Sequence, residues 1–288
     1  MTHEFSAANL FNLKGQVGVV TGGGTGLGLM QAQALAANGM KVFITGRRAE
    51  VLDKAVKESG PFESGGQLVA LPMDVTNRES IVSGVKVVEK EGYLSLLVNN
   101  AGIAKGTNKN LSKAKAKGIE EYSKEMLNVQ EDMFELVYNT NVASPWFVTG
   151  AFLPLLSKAK AAQSPKEGGS VINLTSISGF LKEDQDGQEI YNSSKAALVS
   201  LTNMMATEFA DPAIGIRVNS IAPGLFPSEM TTAFPDPSNY EAHLALGYVL
   251  GRPGIPSEMA QTVLFLAANA FMQGQHIILD GGYMLNHR

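Results

Sequence analysis

Residues 17–28 read Val17-Gly18-Val19-Val20-Thr21-Gly22-Gly23-Gly24-Thr25-Gly26-Leu27-Gly28, and the rest of the chain is best read outward from this stretch. A short apolar run of β-branched character gives way to glycines, and Leu27 to Leu35 then has helical composition. The expected order is strand, glycine turn, helix. Glycines at 22, 26 and 28 give a GxxxGxG spacing, and no frame gives GxGxxG. The physical demand is the same in both patterns. Residues without a Cβ permit a tight turn and close backbone approach, and the helix behind them offers N–H groups and a positive dipole end to a phosphate. Gly24, Thr25 and Leu27 complete this candidate cradle.

Further along, Asn38-Gly39 closes the helix and Lys41 to Thr45 reads as the next strand. Gly46-Arg47-Arg48 follows, with no acid until Glu50. In dinucleotide folds a carboxylate at this place binds the ribose 2′-hydroxyl of NAD, whereas arginine accommodates the 2′-phosphate of NADP. The expectation is therefore NADP(H) in preference to NAD(H). Helix Ala49 to Ser59 leads to strand Gln67 to Leu71 and then to Asp74 and Val75, where Asp74 either accepts a bond from an adenine amine or caps the next helix. Helix Arg78 to Lys90 precedes the apolar strand Leu94 to Val98, which ends in Asn99-Asn100-Ala101-Gly102.

This alternation predicts an α/β fold in a single domain, a Rossmann-type doubly wound parallel sheet of about seven strands with helices on both faces. Ligands bind such sheets at the carboxyl ends of the strands where the winding reverses. Gly22 to Gly28 and Asn99 to Gly102 should face each other across that crevice.

Residues 103–131 carry Lys105, Lys109, Lys113, Lys115 and Lys117 before the first acid at Glu120, and read as an inserted lysine-rich surface loop. Glu131 to Thr149 is a candidate long helix containing Asn141, and Ser170 to Thr175 is a strand followed by Ser176-Ile177-Ser178-Gly179-Phe180. Arg217 to Ile221 is a strand running into Pro223-Gly224-Leu225. Residues 225–255, rich in Pro, Phe and Met, look like a mobile lid. Gln275 to Leu279 is the last strand, before Asp280-Gly281-Gly282.

The chain has 288 residues, 44% of them hydrophobic, and a net charge of −4, so no basic stripe is offered to nucleic acid. Zero cysteines exclude disulfides and thiolate chemistry, and the four histidines are too scattered to suggest a metal site. The opening residues hold no apolar core of signal-peptide length, and no run approaches a membrane span, so a cytoplasmic protein without membrane contact is expected. No GxSxG elbow supports a serine hydrolase.

Of the seven tyrosines only Tyr191 has a lysine four residues on, at Lys195, which places phenol and ammonium on one helix face. A cation at that distance favours phenolate and should lower the tyrosine pKa from about 10. TGxxxGxG, NNAG, an Asn in the following helix, a Ser after the fifth strand, YxxxK, PG and a terminal DGG come in this order. The combination resembles the short-chain dehydrogenase/reductase family from about Asn12 to Gly282.

That resemblance implies a nicotinamide-dependent oxidoreductase with a catalytic set at Asn141, Ser176, Tyr191 and Lys195. It also implies cofactor support from Asn100 to Gly102 and a carboxamide contact at Pro223, Gly224 and Leu225, with Ser228 where the family has threonine. In the implied mechanism Tyr191 exchanges the proton and Ser176 bonds the carbonyl oxygen. Lys195 tunes the tyrosine and holds the nicotinamide ribose, while Asn141 positions a water. Two departures stand out. Ser176 lies 15 residues before Tyr191, while Ser178 falls at the family's usual count and is the reserve. The segment after Gly102 is also longer than is usual.

Phe180, Phe226 and Met230 suggest a partly apolar substrate pocket. The stretch from Ile221 to Thr231 resembles members acting on 3-oxoacyl or polyketide-like ketones, and sugar and polyol dehydrogenases share much of it. A non-catalytic dinucleotide sensor is the reading from another class. A homodimer or homotetramer is expected, with Val142 to Leu155 suited either to that contact or to the core.

Overall fold

The computed structural model describes residues 3–162, 168–228, 236 and 238–287. Seven strands form one all-parallel sheet: β1 (Val17–Thr21), β2 (Lys41–Gly46), β3 (Gln67–Pro72), β4 (Leu96–Asn99), β5 (Ser170–Leu174), β6 (Arg217–Pro223) and β7 (His276–Leu279). Their order across the sheet is β3-β2-β1-β4-β5-β6-β7, so the winding reverses between β1 and β4. There Gly18, Val19 and Val20 pair with Leu96, Leu97 and Val98. Helices pack on both faces of the sheet, and in chain order the helices are α1 (Ala7–Leu10), α2 (Gly26–Ala37), α3 (Ala49–Ser59), α4 (Arg78–Val88), α5 (Leu111–Lys117), α6 (Ile119–Leu127), α7 (Glu131–Tyr138), α8 (Ser144–Ala162), α9 (Glu189–Glu208), α10 (Tyr240–Ala245), α11 (Pro256–Ala268) and α12 (Tyr283–Asn286).

The strands read as unbroken apolar runs because both faces are covered. Successive side chains point to opposite sides. Val20, Ile44, Val98 and Ile172 join one core with Leu35 of α2 and Met259 of α11. Their neighbours Val19, Phe43, Leu97 and Val171 join the other with Phe152 of α8 and Met205 of α9. Burying each such side chain contributes about 2 kcal/mol, which fixes the register of every strand end at the crevice.

Two elements differ from the sequence expectation. Residues 103–131, read as a loop, contain α5 and α6; Leu111 and Ala114 of α5 are buried and its lysines lie outside. Glu131 to Thr149 is helical throughout but not uniformly α. A π-turn at Asn139–Ala143 joins α7 to α8, and such turns are common at functional sites. In the expected lid, α10 is the helix among the described residues between 225 and 255. No helix among the described residues is long and apolar enough to cross a membrane.

Candidate active site

The glycine turn is shaped by what a side chain would strike. Gly22 is left-handed at φ 62°, and a Cβ there would lie 3.0 Å from Asn100 Nδ2. At Gly28 a Cβ would overlap the Gly22 carbonyl and the Asn100 amide. Gly24 faces Leu52, left-handed Gly26 faces Ser228, and Leu27 packs on the core. Thr25 precedes α2 without a side-chain cap. The first-turn N–H groups of α2 thus face the crevice with the dipole behind them.

Across the crevice, Asn100 Nδ2 donates to the carbonyls of Thr21 (2.8 Å) and Gly22 (3.1 Å). Thr21 Oγ1 accepts from the N–H groups of Asn100 and Ala101, each at 3.0 Å. The ends of β1 and β4 are thereby locked together by Thr21, the first residue of the TGxxxGxG pattern.

Asn141, on the π-turn, is 1% exposed. Its Oδ1 accepts from Ile103 N–H at 2.9 Å, and its Nδ2 donates to the Ile103 carbonyl (2.9 Å) and to Ser194 Oγ (3.0 Å). The amide therefore pins the chain after Gly102 against α9. A Cβ on Gly102 would lie 3.2 Å from Asn141 Oδ1 and 3.5 Å from Lys195 Nζ, so both side chains border one spot beside that glycine.

After β5, Ser176 Oγ accepts from Ser178 N–H at 3.1 Å, which tightens a short 3-10 turn. Gly179 lets that turn touch α9, since a Cβ would stand 2.7 Å from the Lys195 carbonyl carbon. The Ser176 side chain faces the Tyr191 phenol closely enough to favour its charged form. Lys195, 4% exposed, donates from Nζ to the Leu174 carbonyl at 2.8 Å and lies 5.7 Å from the centroid of the Tyr191 ring.

The electrostatics correct one expectation. The Tyr191 pKa is raised, not lowered: burial of the phenol disfavours its charge and outweighs the opposing effect of the Ser176 side chain. The Lys195 pKa is pushed down to about 8, again by burial, and its ammonium is held by the strand end.

The remaining predicted residues divide. Arg47 and Arg48 are exposed at the end of β2, where Gly23 N–H donates to the Thr45 carbonyl and so brings the glycine turn alongside. Asp74 Oδ1 accepts from Thr76 N–H (2.9 Å) and Thr76 Oγ1 (2.7 Å), while Asn77 caps α4. The capping alternative for Asp74 is thus overturned, because the helix starts after Asn77. Val75 is buried in the core.

Pro223 ends β6, Gly224 passes close to Asp280, and Leu225 packs with Ile177, Tyr248 and Tyr283. Phe226 is not a pocket residue: it is 3% exposed in the main core, under Gly254. Phe180 meets the His276 ring edge-on, centroids 5.6 Å apart. Ser178 is buried. Met230 lies outside the described residues.

A family model described as Enoyl-(Acyl carrier protein) reductase matches residues 22–284. Short-chain dehydrogenase/reductase PhomF of Diaporthe leptostromiformis is 35% identical, with 98% of this chain and 96% of that protein covered. The rhamnolipids biosynthesis 3-oxoacyl-acyl-carrier-protein reductase of Pseudomonas aeruginosa is also 35% identical, over 96% of this chain and 98% of that one. The solved Pseudomonas aeruginosa RhlG/NADP active-site complex superposes with a TM-score of 0.79 at 33% identity, covering 95% of this chain and 98% of that one. Fold, crevice and kinship define a nicotinamide-dinucleotide oxidoreductase acting on the CH–OH/C=O pair. The chain belongs to the short-chain dehydrogenase/reductase family.

Proposed function

We propose that this protein reduces a ketone to a secondary alcohol with NADPH, and that its substrate is a 3-oxoacyl or polyketide-like ketone. The observation that carries the reading is the Tyr191 phenol, faced by the Ser176 side chain, with Lys195 one helical turn on and its Nζ 5.7 Å from the ring centroid. The crevice suits a dinucleotide: Gly22 and Gly28 leave a cradle that a Cβ would fill, beside the uncapped start of α2. Gly22 to Gly28 and Asn100 to Gly102 would hold its phosphates and ribose. Pro223 to Leu225 and Ser228 would hold its carboxamide end, and Asp74 and Val75 its adenine. Arg47 and Arg48, beside the turn, would meet a 2′-phosphate.

The nicotinamide, when bound, supplies or accepts the hydride. The protein does the rest. In reduction, negative charge grows on the substrate oxygen; Tyr191 gives that oxygen its proton and Ser176 donates a hydrogen bond to it. Its phenol stays protonated near neutral pH because burial holds its pKa up, which suits a general acid. Lys195 keeps a positive charge beneath the ring and, held at the Leu174 carbonyl, has a fixed position. Asn141 fixes the geometry of Ser194 and Ile103 around it.

A second copy of the chain is the proposed partner, but not through the whole of Val142 to Leu155. Val148, Phe152 and Leu155 are core residues. The exposed apolar groove is lined instead by Trp146 of α8 with Leu201, Met204, Met205 and Glu208 of α9. Met204 is 61% exposed and Trp146 49%.

The test is initial-rate oxidation of NADPH and of NADH with acetoacetyl-coenzyme A, small aliphatic ketones, ketoses and, in the reverse direction, polyols. Turnover of the oxoacyl thioester with NADPH supports the proposal. Turnover confined to ketoses or polyols makes the chain a sugar or polyol dehydrogenase, and binding of cofactor without turnover of any of them leaves a dinucleotide sensor.

A further inference from the structure

Residues 181–188 lead straight into α9, whose third residue is Tyr191. Within it, Gln188 N–H donates to the Asp184 carbonyl at 2.8 Å and Gln188 Nε2 to the Gln185 carbonyl at 3.0 Å. Gln185 (φ 50°) and Asp186 (φ 62°) are the non-glycine residues of left-handed backbone among the described residues, and they sit side by side. Such strain persists where the surroundings over-determine it, and it clusters at functional sites. Gln188, at the N-cap of α9, turns its side-chain amide back to the loop and makes no side-chain cap to the helix.

Further support comes from two segments distant in sequence. On one side, Asn108 N–H donates to the Gly187 carbonyl at 2.8 Å, and Ser112 Oγ of α5 donates to Asp186 Oδ1 at 3.0 Å. The fit is close, since a Cβ on Gly187 would overlap the Asn108 carbonyl. Asn108 Nδ2 also donates to the Glu125 carbonyl of α6 at 3.0 Å, which ties the whole inserted segment into the contact.

On the other side, His287 Nδ1 meets Glu183 Oε1 at 2.7 Å. The His287 ring stacks on Tyr283 at 3.8 Å and 4°, and Tyr283 packs on Tyr248 beyond α10. The Glu183 carbonyl in turn accepts from Asn192 Nδ2 at 3.1 Å, one residue past Tyr191.

We infer that Ser112 and His287 are positioning residues for Tyr191: the inserted helices and the C-terminal aromatic stack clamp the strained loop from opposite sides and so fix the first turn of α9. This rests on the proposed role of Tyr191, yet its mechanical part can be tested without any substrate. The experiment is hydrogen–deuterium exchange of Ser112→Ala, His287→Ala and the double variant, read at amides 189–193, with NADP⁺ affinity and ketone kinetics measured alongside.

In the double variant, exchange at 189–193 rises about tenfold while α3 keeps its protection. With the best ketone found, kcat falls about tenfold, KM and NADP⁺ affinity stay within about twofold, and Ser112→Thr retains the rate. Unchanged exchange at 189–193 overturns the clamp whatever the substrate. Raised exchange with unchanged kcat overturns the positioning role. If the wild-type protein reduces no carbonyl, the proposed function fails and the exchange result still decides the clamp.

Discussion

Lys195 Nζ is bound to the Leu174 carbonyl at the end of β5, 2.8 Å away, and among the described residues no carboxylate neutralises it. A charge held in this way is a cost to the fold. The unfolded lysine keeps its proton to about 10.5, while the folded one releases it near 8. Between those values the unfolded chain binds more protons, so stability rises with pH through the window, and the full cost is present below pH 8. Lys195→Met should therefore stabilise the protein at pH 7 by about 2 kcal/mol, after allowing for the lost hydrogen bond, and the advantage should fade towards pH 10. Chemical denaturation at several pH values would check it; a variant less stable than wild type at pH 7 would refute the reading. The same variant should be nearly inactive.

Tyr191→Phe removes a hydroxyl and little else. It should lower kcat about a thousandfold and leave NADP⁺ affinity within about twofold, measured by initial rates and thermal-shift titration. Unaltered turnover would end the acid–base assignment.

The two serines should separate cleanly. Ser176 carries the hydroxyl that meets Tyr191, whereas Ser178 contributes its backbone N–H to Ser176, which alanine retains. Ser176→Ala should cost about a hundredfold in kcat and Ser178→Ala less than about threefold. The reverse ranking would hand the role to Ser178.

Replacing both Arg47 and Arg48 by Ala should weaken NADP⁺ binding about tenfold or more without weakening NAD⁺ binding. Equal losses for both cofactors would mean that the arginines do not read the 2′-phosphate.

Gly28→Ala drives a Cβ into the Gly22 carbonyl and Asn100, and should cost about 2 kcal/mol of stability together with most cofactor affinity. Gly92→Ala is the control. Gly92 is left-handed at φ 85° and ψ −27° with nothing within 4 Å of its missing Cβ, so only about 1 kcal/mol should be lost and cofactor binding kept.

The sheet was legible in the sequence because a two-sided parallel strand announces itself as an unbroken apolar run between glycine turns, as in Val17–Thr21 and Leu96–Asn99. α5 was not, because its buried residues, Leu111 and Ala114, are too few to set a period against four surrounding lysines and polar neighbours. Phe226 was misplaced for a related reason: an aromatic after a strand looks the same whether it faces a cleft or the core. The tyrosine's pKa could not be read from spacing. A lysine four residues on predicts attraction, but the desolvation that reverses the shift comes from packing by segments far away in the chain. The Leu174 carbonyl, a backbone oxygen, carried no signal of its own, and Thr21 opens the TGxxxGxG pattern without any sign there that its hydroxyl would bridge β1 to β4.

The reversal of strand order at β1 and β4 has a kinetic side. A chain emerging from the ribosome as far as β3 can pair β1 with β2 and β2 with β3, yet it has only one wall of the crevice. The second wall arrives with residues 96–102, and Tyr191 and Ser228 later still. Non-local parallel pairing is slow. Dinucleotide affinity should therefore be among the last properties a refolding molecule regains, and an early collapsed state with much of its helix content should remain blind to NADP⁺.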